Sequence, residues 1–465
     1  MPYFLVQDFS QGLDARKSPA TLPAGSLRYA NNVHVTRGGE IEKRKAFVPI
    51  ATLPPGSVGL TSDRDRLIVF GNGAQTIGGT PVPILWVDCV GAPDYLLDST
   101  RWAATAVSAI QMVDGSRRLM IDWRPVATWS YGEKPVGLET FRGKVYAVEG
   151  ANFIGSKLYD PDTFDPAALG SFVTDTSMQS QFMSKLNSVC VFQGQLVLFS
   201  EDGIQVWDVD PDPLKNYLVR SLTNTGCLAP RSVLNFGNFD TVFLAKSGIR
   251  SLQARQATDL MNVNDIGTPV DDFVSQLVAA AGVEQIRRLA TAVVEPEDAR
   301  LWVSLGDVIM VHSYYKGNDN SGDISAWSTY TPGFNVQGMT VMGGATFIRS
   351  GDVIYQYGGP SKLVYDSCKA EVWTPFHHAD KPATQKAFTG FDVGGTGEWT
   401  IKAAFDPRKP DLSEYVGKVT DATWAEPSEG LNYYSSHLSL VLECSDAQPA
   451  RMNNLAMHYN EGVAT

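Results

Sequence analysis

The chain has 465 residues, with 38 Lys and Arg against 50 Asp and Glu, a net charge of −12. That length exceeds what one hydrophobic core supports, and the acidic balance argues against a body that grips nucleic acid. No apolar run approaches the roughly 20 residues needed to cross a bilayer, and the opening MPYFLVQDF lacks the basic-then-apolar layout of a secretory signal.

The first fifty residues stand apart. Pro19, Pro23, Gly25, Gly38 and Gly39 punctuate them too densely for a regular helix or strand. Between Gln7 and Phe47 seven Lys and Arg face four acids, a net +3 that leaves −15 for the rest. Residues 1–50 therefore read as an extended basic arm on an acidic body, suited to strapping onto neighbouring subunits. Arg16, Lys17, Arg37, Lys43 and Arg44 are the candidates for salt-sensitive contacts with an adjacent subunit or connector. Deleting residues 2–45 is expected to leave the body over residues 51–365 folded.

Residues 51–365 carry a recurring unit: a short apolar strand, a tight turn, a second strand, another turn and a third strand. Ser188–Val209 is the clearest copy, with strands at Ser188–Phe192, Gln195–Phe199 and Ile204–Val209. Ser232–Leu252, Val136–Tyr159, Ala290–Tyr315 and Gly338–Gly358 repeat it, Val58–Gly71 more weakly, and Ala104–Trp123 is a doubtful seventh. Such strands, rich in Val, Ile, Leu, Phe and Tyr between turn residues, are a hairpin signature. Repeat starts lie roughly as far apart as the 40–45 residues of a propeller blade. The reading is an all-β chain with a β-propeller of six or seven blades. One segment breaks the pattern. Val270, Phe273, Val274, Leu277 and Val278 recur on one helical face, with Thr268 as N-cap, Pro269 at the first position and Gly282 as the stop, a short helical insertion.

From Asp366 the repeat ends. Lys386–Val393, Glu398–Phe405, His437–Cys444 and Leu455–Tyr459 read as strands of a separate β-sandwich-like domain over residues 366–465.

Catalytic signatures are lacking. There is no phosphate-binding Gly-rich loop with Lys and Ser/Thr and no Gly-x-Ser-x-Gly elbow. The acidic stretch Asp208–Asp212 lacks the Gly and Glu of a calcium loop, which would fall at Pro213 and Val219. His377 and His378 are adjacent and would point to opposite faces of a strand. The five scattered cysteines read as reduced thiols of a protein folded in cytosol. Trp102, Trp123, Trp129, Trp302, Trp327, Trp373, Trp399 and Trp424 read as core and interblade packing. The expectation is no enzyme, no cofactor and no metal.

The opening segment also carries a resemblance. Phe9-Ser-Gln-Gly-Leu-Asp14, then Pro19 and Leu22-Pro23-Ala-Gly25, Ala30-Asn31-Asn32, Arg37-Gly38-Gly39 and Lys43-Arg44 follow one another here. In this order they resemble the nozzle, or tail-hub, proteins of short-tailed bacteriophages, also called packaged-DNA stabilisation proteins. The motif covers about forty residues and the layout the whole chain; Lys45-Ala46 departs from the Pro-Gly common at that place. The resemblance implies a virion tail protein made in the bacterial cytoplasm. It implies a homo-hexameric ring below the portal and its head-to-tail adaptor, extending the DNA channel, retaining packaged double-stranded DNA and anchoring tail fibres, spikes or a needle. A net-negative wall would let DNA pass without the tight phosphate contacts that Lys and Arg make. The rival readings are a carbohydrate-binding or carbohydrate-processing propeller and a monomeric cellular scaffold.

Overall fold

A computed structural model describes residues 2–63, 65–71, 73, 75–88, 107–111, 117–121, 136–160, 163–237, 240–253, 265–316, 323–421 and 429–461. Trp102, Trp123, Trp129 and Trp424 lie outside the described residues, as does part of the doubtful repeat Ala104–Trp123.

The molecule is mostly β and is built from many small sheets. In chain order the first comprises Ser57–Asp63, Arg66–Gly71 and Ile84–Asp88, and the second Val107–Gln111 and Arg117–Ile121. The third comprises Gly137–Phe141, Lys144–Glu149, Asn152–Gly155 and Phe172–Asp175, and the fourth Leu186–Phe192, Gln195–Ser200, Gly203–Asp208 and Tyr217–Thr223. The fifth comprises Leu234–Phe236, Asp240–Ala245 and Gly248–Ser251, and the sixth begins with Thr291–Glu295, Arg300–Ser304, Ile309–Tyr315 and Ile324–Tyr330. The seventh is Gly338–Met342, Ala345–Ser350 and Val353–Tyr357, joined by Phe47–Thr52 from the start of the chain.

Five of the repeats read from sequence form three-stranded antiparallel meanders, four of them with a fourth strand that the pattern did not announce, whereas Val58–Gly71 forms a hairpin to which Ile84–Asp88 pairs in parallel. The exposed strand Tyr217–Thr223 shows why: a strand at a sheet edge, wet on most of its residues, carries no apolar run. Second strands are the reverse case. Lys144–Glu149 and Arg300–Ser304 are buried at every residue, so their apolar content is continuous rather than alternating. Turns follow their sequence. Gln193 and Gly194 both have positive φ, 49° and 76°, the two-residue hairpin whose twist matches the strands it joins.

The first strands of successive sheets touch one another in chain order, from Ser57–Asp63 through Val107–Gln111, Gly137–Phe141, Leu186–Phe192, Leu234–Phe236 and Thr291–Glu295 to Gly338–Met342, which contacts Ser57–Asp63. Buried guanidinium groups tie neighbours together. Arg349 donates to the carbonyls of Ser57 and Val58, both at 3.0 Å. Arg231 donates to the Gln337 carbonyl at 2.7 Å and to the Arg288 carbonyl at 3.2 Å.

The helical insertion is α1, Asp271–Ala281, ended by Gly282 at φ 87°. A second helix, α2 (Val283–Leu289), follows at once and was not read from sequence. Thr268 does not cap α1: its hydroxyl donates to the Asp265 carbonyl, and Thr268–Val270 form a preceding 3-10 turn. Val270, Phe273, Val274, Leu277 and Val278 pack on the core of the fifth and sixth sheets, and Arg250 grips Asp271 with both terminal nitrogens, at 2.7 and 3.0 Å.

The C-terminal domain is a sandwich. One sheet runs Glu429–Ser435, Lys386–Thr396, Arg451–Glu461, Ile41–Lys43 and Val33–Val35, with Tyr3–Val6 also paired to Arg451–Glu461. The other runs Tyr29–Asn31, Ala370–Trp373, Ser439–Cys444, Glu398–Ala404 and Glu414–Thr420. This second sheet continues across Tyr29–Asn31 into Ile324–Tyr330, making one eleven-stranded sheet.

The opening segment is therefore not a free arm. It supplies strands to both bodies of its own chain, because Val6, Phe9, Leu27, Ala30, Val33 and Ile41 are apolar and complete the sandwich core. The expectation of an extended arm separate from the folded bodies is corrected accordingly. Removing residues 2–45 should unfold the sandwich, and Phe9→Ala alone should cost about 3–5 kcal/mol, as for other buried Phe truncations. A urea titration followed by circular dichroism checks both, and a truncated chain with an unchanged transition would refute the assignment.

Three histidines are buried and neutral. His34 bonds the Tyr330 hydroxyl at 2.9 Å, His312 packs 4.7 Å from Trp327, and His377 packs 4.5 Å from Phe4. Burial lowers His34 to about 4, helped by Arg300, and lowers His312 and His377 to about 3. In the unfolded chain each takes a proton below about 6.5, so stability present above that pH is lost as pH falls toward 4. The expected loss from pH 7 to pH 5 is about 2 kcal/mol per histidine, read from unfolding midpoints of the wild type and of His312→Gln, in which one such share should vanish.

Candidate functional site

Two places gather unusual chemistry: the joint made by the opening segment, and a cavity where the first strands meet.

At the joint, Asn31 and Asn32 bind both bodies. The Asn32 side-chain carbonyl accepts from the Thr331 N–H and from Arg44 Nε, both at 2.9 Å, and its NH2 donates to the Lys369 carbonyl at 2.8 Å. Its φ of 55° is left-handed, a conformation Asn tolerates better than most residues. The Asn31 side-chain oxygen accepts from the hydroxyls of Thr329 and Thr331 at 3.2 and 3.0 Å. Gly12 is required by contact: a Cβ there would lie 2.7 Å from the Trp327 nitrogen.

The candidate contact residues fall into two sets. Lys43 and Arg44 are buried within the chain. Lys43 Nζ donates to the carbonyls of Asp366 and Asp446, and Arg44 pairs with Asp366 at 3.1 Å and lies over Phe47. Sequestered in this way, neither is available to another subunit. Arg16, Lys17 and Arg37 are exposed. Arg16 holds Asp14 in a two-point contact of 3.1 and 2.9 Å, and Arg37 lies 4.0 Å from Asp298 and over Tyr315. These three are not brought into one patch: Arg16 and Lys17 follow Ala15, whose N–H reaches the Pro269 carbonyl, whereas Arg37 sits beside the Glu295–Arg300 hairpin. A 430 Å³ cavity beside the joint is lined by charges already engaged with one another, including Arg44 with Asp366.

The second place is a cavity of 460 Å³ among the first strands, lined by residues of the first, third, fourth, fifth, sixth and seventh sheets. Glu139, in the middle of Gly137–Phe141, lines it. One carboxylate oxygen accepts the Thr140 N–H at 2.9 Å. Protein surrounds the side chain while its tip keeps access to the cavity, and burial raises its pKa to about 7 with only that hydrogen bond opposing. Thr61, Ser188, Asn235, Thr291 and Thr340 supply polar groups to the wall. Among the described residues Arg231 and Cys190 are its other titratable ones; burial lowers Arg231 to about 9 and raises the Cys190 thiol, with the Glu139 charge adding to the latter. Sequence reading missed Glu139, although an acid in the middle of a first strand is a visible anomaly.

Among the described residues no group of three or more His, Cys, Asp or Glu is placed to hold a metal. His377 and His378 diverge, the first against Phe4 and the second 5.7 Å from His437. The acidic loop is a turn in which Asp212 accepts the Leu214 N–H and Asp210 the Asp212 N–H. Trp302, Trp327 and Trp399 are fully buried, whereas Trp373 carries the Arg28 guanidinium on its face at 4.4 Å.

No protein-family model and no curated protein matches the chain. Among solved structures it is similar to BamB from Moraxella catarrhalis at 11% identity, over 55% of this chain and 80% of that one, with a TM-score of 0.27. An exo-β-1,3-galactanase from Phanerochaete chrysosporium matches at 8% identity over 76% and 99%, TM-score 0.21. The computationally designed Ika8 protein matches at 10% over 67% and 99%, TM-score 0.25. Likenesses this distant leave function to the residues themselves.

Glu139 has a consequence for stability. Its folded carboxyl keeps a proton up to about pH 7, whereas the unfolded group releases it near 4.5. The folded state thus binds the extra proton in that window, and stability falls as pH rises through it. Glu139→Gln should remove this fall, stabilising the chain at pH 8 relative to pH 5 by up to about 3 kcal/mol; equal mutational effects at the two pH values, measured by urea unfolding, would contradict it.

Proposed function

We propose that the seven small sheets are the blades of a closed β-propeller and that the chain is a ring-forming tail nozzle or hub protein of a short-tailed bacteriophage. Two features support the propeller. The first strands follow one another around a common cavity. Phe47–Thr52, from before the first sheet, is the outer strand of the last, the kind of pairing that fastens a ring of blades.

The observation that carries the functional reading is the opening motif, together with the work its residues do. Phe9, Gly12, Ala30, Asn31 and Asn32 are joint residues, and Lys43 and Arg44 are buried ties. Such a motif preserves a rigid angle between two β bodies, which a ring subunit needs and a catalytic site does not. In this reading the hexamer sits in the virion tail below the adaptor, carries fibres, spikes or a needle, and lets packaged DNA pass through a lumen between subunits. That lumen is not the cavity beside Glu139, whose 460 Å³ suits a small molecule. Arg16, Lys17 and Arg37 remain as exposed basic candidates for contact with an adjacent subunit or connector. The carbohydrate-processing alternative needs two suitably spaced carboxylates; among the described residues the cavity wall carries one, Glu139.

Native mass spectrometry of the purified chain should give a six-fold assembly that dissociates as salt rises. Negative-stain images should show a ring. A persistent monomer at micromolar concentration that binds oligosaccharide would overturn the proposal.

A further inference from the structure

We infer that the cavity among the first strands is a binding site for a small aliphatic amine, whose ammonium group pairs with Glu139 and whose hydrocarbon part lies on the apolar wall. The inference is independent of the tail role.

The geometry supplies a charge without a counter-charge. Among the described residues Glu139 is the only carboxylate lining the cavity, and the one hydrogen bond it accepts comes from its neighbour's N–H. Among the described residues no Lys or Arg pairs with it, and Arg231, the cation on the same wall, is turned to the Gln337 and Arg288 carbonyls. A carboxylate in such a setting is relieved in one of two ways: by taking a proton or by taking a cation. The pKa near 7 records the first. The cavity leaves room for the second.

The remaining wall selects the kind of cation. Leu138, Val189, Val233, Val293, Met339 and Val341 give the space apolar patches beside its polar groups. A metal ion of the calcium or magnesium type requires six or more oxygen ligands, several of them charged or carbonyl. One carboxylate with scattered hydroxyls and an amide does not meet that demand. An alkylammonium does not require it: one N–H bonds the carboxylate, the others reach hydroxyls such as Thr61 or Thr291, and the alkyl chain leaves water for Val and Met side chains. The Arg231 guanidinium disfavours a second positive charge, so a monoamine fits better than a diamine. Charge attraction is strong where water is largely excluded.

Binding should also follow the ionisation of Glu139, since only the carboxylate attracts the ammonium. The titratable neighbours do not change this. Cys190 stays a neutral thiol and Arg231 stays charged between pH 6 and 8. With Glu139 titrating near 7, the ionised fraction, and with it the affinity, should rise about tenfold from pH 6 to pH 8.

The test is isothermal titration calorimetry of the full chain with n-butylammonium chloride. The expected result is saturable binding at pH 8, about tenfold weaker at pH 6 and lost in Glu139→Gln. 1-Butanol should not bind, and 1,4-diammoniobutane should bind no better than the monoamine. The wild-type pH dependence and the butanol control need no variant, so they decide the matter even if Glu139→Gln folds poorly. Absence of binding at pH 8, equal affinity at both pH values, binding retained by a folded Glu139→Gln, or tighter binding of the diamine or of calcium chloride would each overturn the inference.

Discussion

The backbone of Tyr29–Asn31 is the constraint on which this architecture rests. On one side it pairs with Ile324–Tyr330, on the other with Ala370–Trp373, so two bodies that would otherwise be joined by a linker share one hydrogen-bonded sheet. The link to Ile324–Tyr330 is made by the register pair of Asn31 with Thr329 and by the Asn32 N–H, which donates to the Thr329 carbonyl at 2.7 Å. The side chains of Asn31 and Asn32 add bonds to Thr329, Thr331, Lys369 and Arg44, which holds the strand against sliding along either neighbour.

Around that joint, charge is used as a fastener rather than as a surface. Lys43 and Arg44 bury their cations against carbonyls, a carboxylate and the Phe47 ring, and Arg300 closes its own hairpin on Glu295 at 3.1 Å. A buried, paired cation adds little net stability, but removing its partners is expensive. Such groups therefore specify one arrangement of strands and penalise the alternatives. His34 takes part as a neutral ring. Its depressed pKa means that the charged partner of Glu42 is Arg451, at 3.0 Å, and not the histidine 3.7 Å away.

The same economy is absent in the central cavity. Glu139 lacks the cation that Glu42 has and accepts fewer hydrogen bonds than Asp240, which takes the Thr241 and Gln253 N–H groups and the Ser251 hydroxyl. Glu139 is an acid without a charged partner among the described residues, set on a cavity that something outside the chain could enter.

Much of the fold was legible in the sequence. The meanders at Ser188–Val209 and Ser232–Leu252, the helix face of Val270 to Val278 and the strands from Lys386, Glu398 and Leu455 all follow from local periodicity and turn residues, and the structure has strands and a helix there. Those signals are local because a strand or helix buried on a given face must repeat at its own period. The destination of the opening segment was not legible. Its prolines, glycines and basic residues read as an exposed arm, since short strands of two to four residues carry no period and a buried Lys or Arg looks like a surface one until its partners are known. The exposed fourth strand Tyr217–Thr223, the helix after Gly282 and the setting of Glu139 escaped as well. The sequence by itself determined which segments could be strands and where they turn. Only the tertiary structure decided which strands pair across hundreds of residues and which charges find a partner, because both depend on groups distant in sequence arriving at the same place.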